Sequence, residues 1–222
     1  MSASPRGGTV TDDGDAAGGE PGEDVTDGAG TGGEAVDGES ARGPPGAEPA
    51  SDGDSDGDRP DRFGRLERHA TPGPRNSLWH WTEAKSYPRV ASNYVLTWLI
   101  RTSGSLRRKN WLLRRLGATV EENVSWGLEA TPDVFWPERI TLRENAIVGY
   151  DATILCHEFL QDEYRVGDVV VGERAMIGAG AVILPGVHVG ADAQVAANSL
   201  VADDVPPGET VAGVPAEPVV RE

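Results

Sequence analysis

From Val171 to Val205 the chain repeats in sixes: VGERAM, IGAGAV, ILPGVH, VGADAQ, VAANSL, VADDVP. The first place is held by Val171, Ile177, Ile183, Val189, Val195 and Val201, aliphatic throughout. The fifth is held by Ala175, Ala181, Val187, Ala193, Ser199 and Val205, all small or β-branched. A helix recurs every 3.6 residues and a strand every two, and neither produces this pattern. A short repeat at fixed spacing marks a solenoid, in which no repeat can bury its apolar face alone. The sequence therefore predicts an all-β solenoid, a parallel β-helix with three flat faces per coil. Each hexad supplies a short strand and a corner, with the first residue pointing inward and the small fifth residue beside the next corner. Glycine in second place, as at Gly172, Gly178 and Gly190, is expected to supply a positive φ for a tight turn.

The sixes extend backwards. Leu142, Val148 and Ile154 take the first place, and Ala146 and Ala152 the fifth. LGATVEENVSW reads as an imperfect first coil beginning near Leu116, interrupted by TPDVFWPERI with Pro132 and Pro137. A second break lies between Ile154 and Val171, which are 17 residues apart and out of phase with a period of six. The intervening CHEFLQDEYRVGDVV must include a segment pushed out of the coil. Solenoids tolerate such insertions away from their stacked faces, often at the binding surface. His157 stands immediately before this excursion.

The run IGAGAVILPGVHVGADAQVAANSLVADDVPPG, followed by VAGVPA, resembles the hexapeptide-repeat acyltransferases, and within them the galactoside and maltose O-acetyltransferases. The likeness spans about Leu116 to Ala216, close to half the chain. It implies a left-handed coil, against the usual right-handed crossover, a trimer, and acetyl-CoA as co-substrate. It also implies that His157 is the general base for a hydroxyl acceptor, a sugar or a related compound. Imidazole titrates near neutrality and can take the hydroxyl proton during attack on the thioester. Candidates to orient the ring are Glu158, Asp133 and Glu144, in that order. Motif alignment implies CoA contacts at Ala179, Ala197 and Ala202, where small side chains admit the pantetheine arm. The relatives' basic residues for the nucleotide phosphates correspond to Asp203 and Glu217 here, with only Arg221 left near the end, so either Arg165 or Arg174 substitutes or CoA binding is weakened. Cys156 reads as a packing residue and His188 as ordinary surface.

Net charge is −16, unevenly placed. Residues 1–58 hold 15 Asp or Glu against Arg6 and Arg42, with no aromatic residue, and are expected to be disordered. Lysine occurs only at Lys85 and Lys109. An acid-rich, lysine-poor chain fits solubility at high salt, as in a halophile's cytoplasm. One cysteine excludes an intrachain disulfide and agrees with a reducing compartment. No secretory signal or membrane-spanning run is read.

The expected organisation is an acidic tail and linker over 1–75, a helical segment over 76–116, the β-helix over 117–216, and a short tail over 217–222. Two amphipathic helices, about 89–102 and 105–116, should break at Gly104. Seven basic residues lie between Arg89 and Arg115 with no acid among them. Basic, tryptophan-bearing helices can attach to membrane surfaces. The plainer expectation is that their apolar face packs on the base of the prism and the arginines face water. Nucleic acid is excluded as a partner by the acidity of the rest. A metal-dependent prism enzyme needs three converging histidines, and the prism holds only His157 and His188. A non-catalytic β-helix scaffold is the remaining alternative.

Overall fold

The computed structural model describes residues 62–219. The acidic stretch 1–58 and Arg221 lie outside the described residues.

Hexads become strands of two or three residues stacked in three sheets. One sheet stacks Ile177 between Val148 and Val195, and Val195 against Val211, all parallel. A second stacks Ile183 between Ile154 and Val201. The third runs Val120, Leu142, Val171, Val189. In the regular coils the partners, such as Ile183 and Val201, are 18 residues apart, three hexads to a turn. Every first-place and fifth-place residue from Val171 to Val205 is buried. Each aliphatic side chain so buried contributes about 1.5–3 kcal/mol.

The second-place glycines have a different reason from the one expected. Positive φ falls on the fourth place of the hexad: Arg174, Gly180, Gly186, Asp192 and Asn198, with Asn145 and Asp151 upstream. Asn, Asp and Gly tolerate that region best. The second-place glycines are needed for close approach of successive coils. A Cβ on Gly178 would stand 2.5 Å from the Ala197 nitrogen, and one on Gly172 2.6 Å from that of Ala191.

Both breaks in the sixes leave the coil at one corner, between the second and third sheets. Residues 132–139 form a loop ending in the 3-10 turn Pro137–Arg139. One coil later the chain departs as an antiparallel hairpin, His157–Phe159 against Glu163–Val166.

The expected linker contains structure. Arg62–Arg65 form a 3-10 turn, and Glu67–Ala70 add a third, antiparallel strand to the hairpin. Arg62 donates to the Pro185 carbonyl and Arg65 to that of Gly186, which fastens this segment across the same corner.

Helices α1 (Trp81–Ala84), α2 (Tyr87–Thr102) and α3 (Leu106–Leu116) follow. The Ser105 hydroxyl caps α3, and Gly117 closes it at φ 109°. On α3 Leu112, Leu113 and Leu116 are buried, whereas Leu106 and Trp111, apolar positions of the same helix, are exposed. The apolar stripe of α2, expected to pack on the prism, is turned outward: Tyr94, Val95, Trp98 and Leu99 are exposed, while Asn93, Thr97 and Ile100 are buried. Asn93 donates to the Val134 carbonyl, and Lys109, expected in water, is buried with its Nζ on the carbonyls of Trp126 and Gly127. Arg114 donates to the Val120 and Glu121 carbonyls.

Candidate active site

The two excursions bring Asp133 and His157 together. His157 is the first residue of the hairpin, opposite Val166. Asp133 sits in the lower loop, its side chain fully buried. Its Oδ2 is 2.6 Å from His157 Nδ1 and accepts from the Cys156 N–H at 2.6 Å. Its Oδ1 accepts from the N–H groups of Phe135 and Trp136, both at 2.8 Å. A buried carboxylate is tolerated when its lone pairs are filled in this way. With Nδ1–H donating to Asp133, the ring's free lone pair is at Nε2. The ring is partly open, at 15% exposure. An imidazole so held can accept a proton at Nε2, while the carboxylate steadies the resulting cation.

Aromatic rings set the position of the imidazole. Phe135, Phe159 and Trp136 lie 4.9, 5.0 and 5.2 Å from it, centroid to centroid. Tyr164 stacks on Trp136 at 5.7 Å. Trp136 belongs to TPDVFWPERI, which reads in sequence as an interruption only.

Glu158, ranked first as the orienting group, points away. It follows His157 in a strand, where neighbours face opposite sides, and it pairs with Arg62 at 3.2 Å. Glu144 is also elsewhere, at the corner where Asn145 donates to it. Cys156 is fully buried, and burial pushes its thiol well above the usual range. His188 is half-buried, and burial, with Arg65 next in effect, lowers its affinity for a proton.

Residues 168–203 match the family described as Bacterial transferase hexapeptide (six repeats). The Bacillus subtilis (strain 168) protein named "Putative acetyltransferase YvoF" is 41% identical over 152 residues, covering 68% of this chain and 88% of the relative. The chain belongs to the hexapeptide-repeat acetyltransferase family. Among solved structures it is similar to the Vibrio cholerae hexapeptide-repeat acetyltransferase VCA0836 complexed with acetyl coenzyme A. That match has 22% identity and a TM-score of 0.49, over 63% of this chain and 90% of that one. It is also similar to a maltose O-acetyltransferase from Clostridium difficile 630, with 19% identity and a TM-score of 0.48, over 60% and 85%.

In this hexapeptide-repeat acetyltransferase, Ala179 and Ala197 occupy equivalent corners of successive coils, both exposed. That corner joins the first and second sheets, whereas His157 stands at the far edge of the second sheet. Ala202 follows the strand Leu200–Val201. One chain therefore does not bring the three alanines and the imidazole into a single cleft. Asp203 and Glu217 are exposed. Arg174 is engaged by Asp192 and Arg165 by Glu163, both at 2.7 Å. Among the described residues no group of three or more His, Cys, Asp or Glu is placed to hold a metal. No helix among them is long and apolar enough to cross a membrane.

Proposed function

We propose that the protein transfers an acetyl group from acetyl-CoA to a hydroxyl of a sugar or related acceptor, with His157 as general base and Asp133 as the residue that positions it. Nε2 takes the hydroxyl proton as the oxygen attacks the thioester carbonyl. The tetrahedral intermediate collapses, the C–S bond breaks, and the thiolate leaves with the proton returned from Nε2. No acyl-enzyme forms, and Cys156 is buried and held protonated, unsuited to nucleophilic attack.

The observation that carries this reading is the 2.6 Å contact between His157 Nδ1 and a fully buried Asp133. Three backbone N–H groups hold that carboxylate. A core histidine with a merely structural role has no need of an anchored carboxylate behind a partly open ring.

The distance between His157 and the alanine corner favours assembly in a ring. In a left-handed coil of this family, three copies packed about one axis would set His157 of one copy against Ala179 and Ala197 of the next, while Ala202 follows the second-sheet strand on His157's own corner. CoA then lies in the groove between copies, in the cytoplasm of a salt-adapted cell. Asp203 stands where a phosphate partner was expected and repels phosphate, so CoA affinity should rise with salt screening. The scaffold alternative draws on that substitution.

The test is thiol release from acetyl-CoA against a panel of sugars, with His157→Ala beside the native chain. Loss of at least about a hundredfold in kcat supports the base. A variant as active as the native chain ends the proposal.

A further inference from the structure

The ring of Phe135 belongs to two places at once. It touches His157, at 4.9 Å between centroids, and it lines a groove of about 570 Å³ along α2. Trp81, Tyr87, Tyr94, Val95 and Val134 also line this groove. The wall is continuous. Tyr87 meets Trp81 at 5.8 Å, Trp81 meets Phe135 edge-on at 5.8 Å, and Phe135 meets the imidazole. None of these side chains is charged. The outer wall is costly to leave in water, with Tyr87 68%, Tyr94 65% and Val95 56% exposed. Contiguous apolar surface of this kind marks a ligand or partner site, and the volume is within the range of small-molecule sites.

We infer that this groove binds a hydrocarbon arm carried by the acceptor, an alkyl or prenyl-type chain, with the reacting hydroxyl at His157. The inference rests on the reading of His157 as the base. A free monosaccharide placed at the imidazole leaves the run of rings bare. An acceptor with an apolar chain covers it, with its hydroxyl end past Phe135, the ring that the groove shares with the imidazole. With no cation in the lining, an anionic group gains nothing there. Hydrocarbon is the chemistry that fits the wall.

The test uses the full chain with methyl, hexyl and octyl β-D-glucosides below their micelle thresholds, and measures binding by titration calorimetry. Each buried methylene multiplies affinity by about four, so with only two to three of the added methylenes buried the octyl compound should bind at least about thirtyfold tighter than the methyl one. In Val95→Asp, a carboxylate enters the wall at an exposed position, and the advantage should shrink to about threefold or less. Equal affinities across the native series overturn the inference, as does a chain-length preference that survives Val95→Asp. It is also overturned if light scattering shows that Val95→Asp breaks an oligomer of the native chain while octyl and methyl compounds bind alike. That result assigns the groove to a second copy. Acetyl transfer to the same glucosides separates the two claims. Tight octyl binding together with undiminished acetyl transfer in His157→Ala leaves the groove standing and removes the role of His157. Acetylation without chain-length preference does the reverse.

Discussion

Asp133→Asn tests the site with the smallest change in shape. The native Oδ1 accepts the N–H groups of Phe135 and Trp136 at 2.8 Å, and an amide oxygen in its place keeps both. The amide nitrogen then occupies the Oδ2 position, 2.6 Å from both the Cys156 nitrogen and His157 Nδ1. Two donors face the Cys156 N–H without an acceptor, which costs about 1–3 kcal/mol of stability. The ring can relieve its own clash by offering an unprotonated Nδ1, which moves its proton to Nε2. That tautomer has no lone pair at the reacting nitrogen. A ring that stays in the native tautomer loses a charge-assisted bond of about 1.5–3 kcal/mol, a factor of about 10–150 in rate. The two effects together predict a fall in kcat of at least about a hundredfold, with a Tm lowered by about 2–4 °C per kcal/mol. The assay is thiol release at saturating acetyl-CoA, with thermal unfolding measured on the same samples. Glu158→Gln breaks only the pair with Arg62 and should lower kcat far less. An Asp133→Asn protein within about threefold of native kcat, or a larger loss from Glu158→Gln, refutes the assignment of roles.

Three other outcomes follow from the same coordinates. Gly178→Ala forces a Cβ to 2.5 Å from the backbone nitrogen of Ala197, so thermal or denaturant unfolding should show a loss of about 2–3 kcal/mol or more. Cys156, buried with its thiol pushed well above the usual range, should resist iodoacetamide in the native protein and react fully once unfolded, as read by mass spectrometry. His188 binds a proton less readily folded than unfolded, chiefly through burial and then through Arg65. Its contribution is complete above the unfolded value near 6.5 and is lost as pH falls below it. Denaturant titrations between about pH 7 and 5 should therefore show a shallower decline for His188→Gln than for the native chain.

The excursion after Ile154 was legible from a break in phase, because 17 is not a multiple of six. That it folds as a hairpin was not, since its third strand comes from Glu67–Ala70, nearly a hundred residues earlier. The second-place glycines were visible, but their reason was not. A positive φ is a property of one residue, whereas a 2.5 Å approach belongs to two coils. The fourth-place run of Gly, Asp and Asn carried the turn signal in plain sight. The apolar stripe on α2 is visible in the sequence, but its exposure is not. Periodicity records which side chains share a face and not which face turns inward, and in the structure the inward face carries Asn93, Thr97 and Ile100.

The repeat by itself determined the coil, since a residue every sixth place fixes what stacks on what within three hexads. It also marked His157, because a break in a strict period identifies its own position. Only the tertiary structure chose Asp133 over Glu158. Two residues 24 positions apart in the chain meet because one coil returns the backbone to the same corner, and both departures from the period occur there. Adjacency in sequence placed Glu158 next to the imidazole, and the alternation of a strand turned it to the other side.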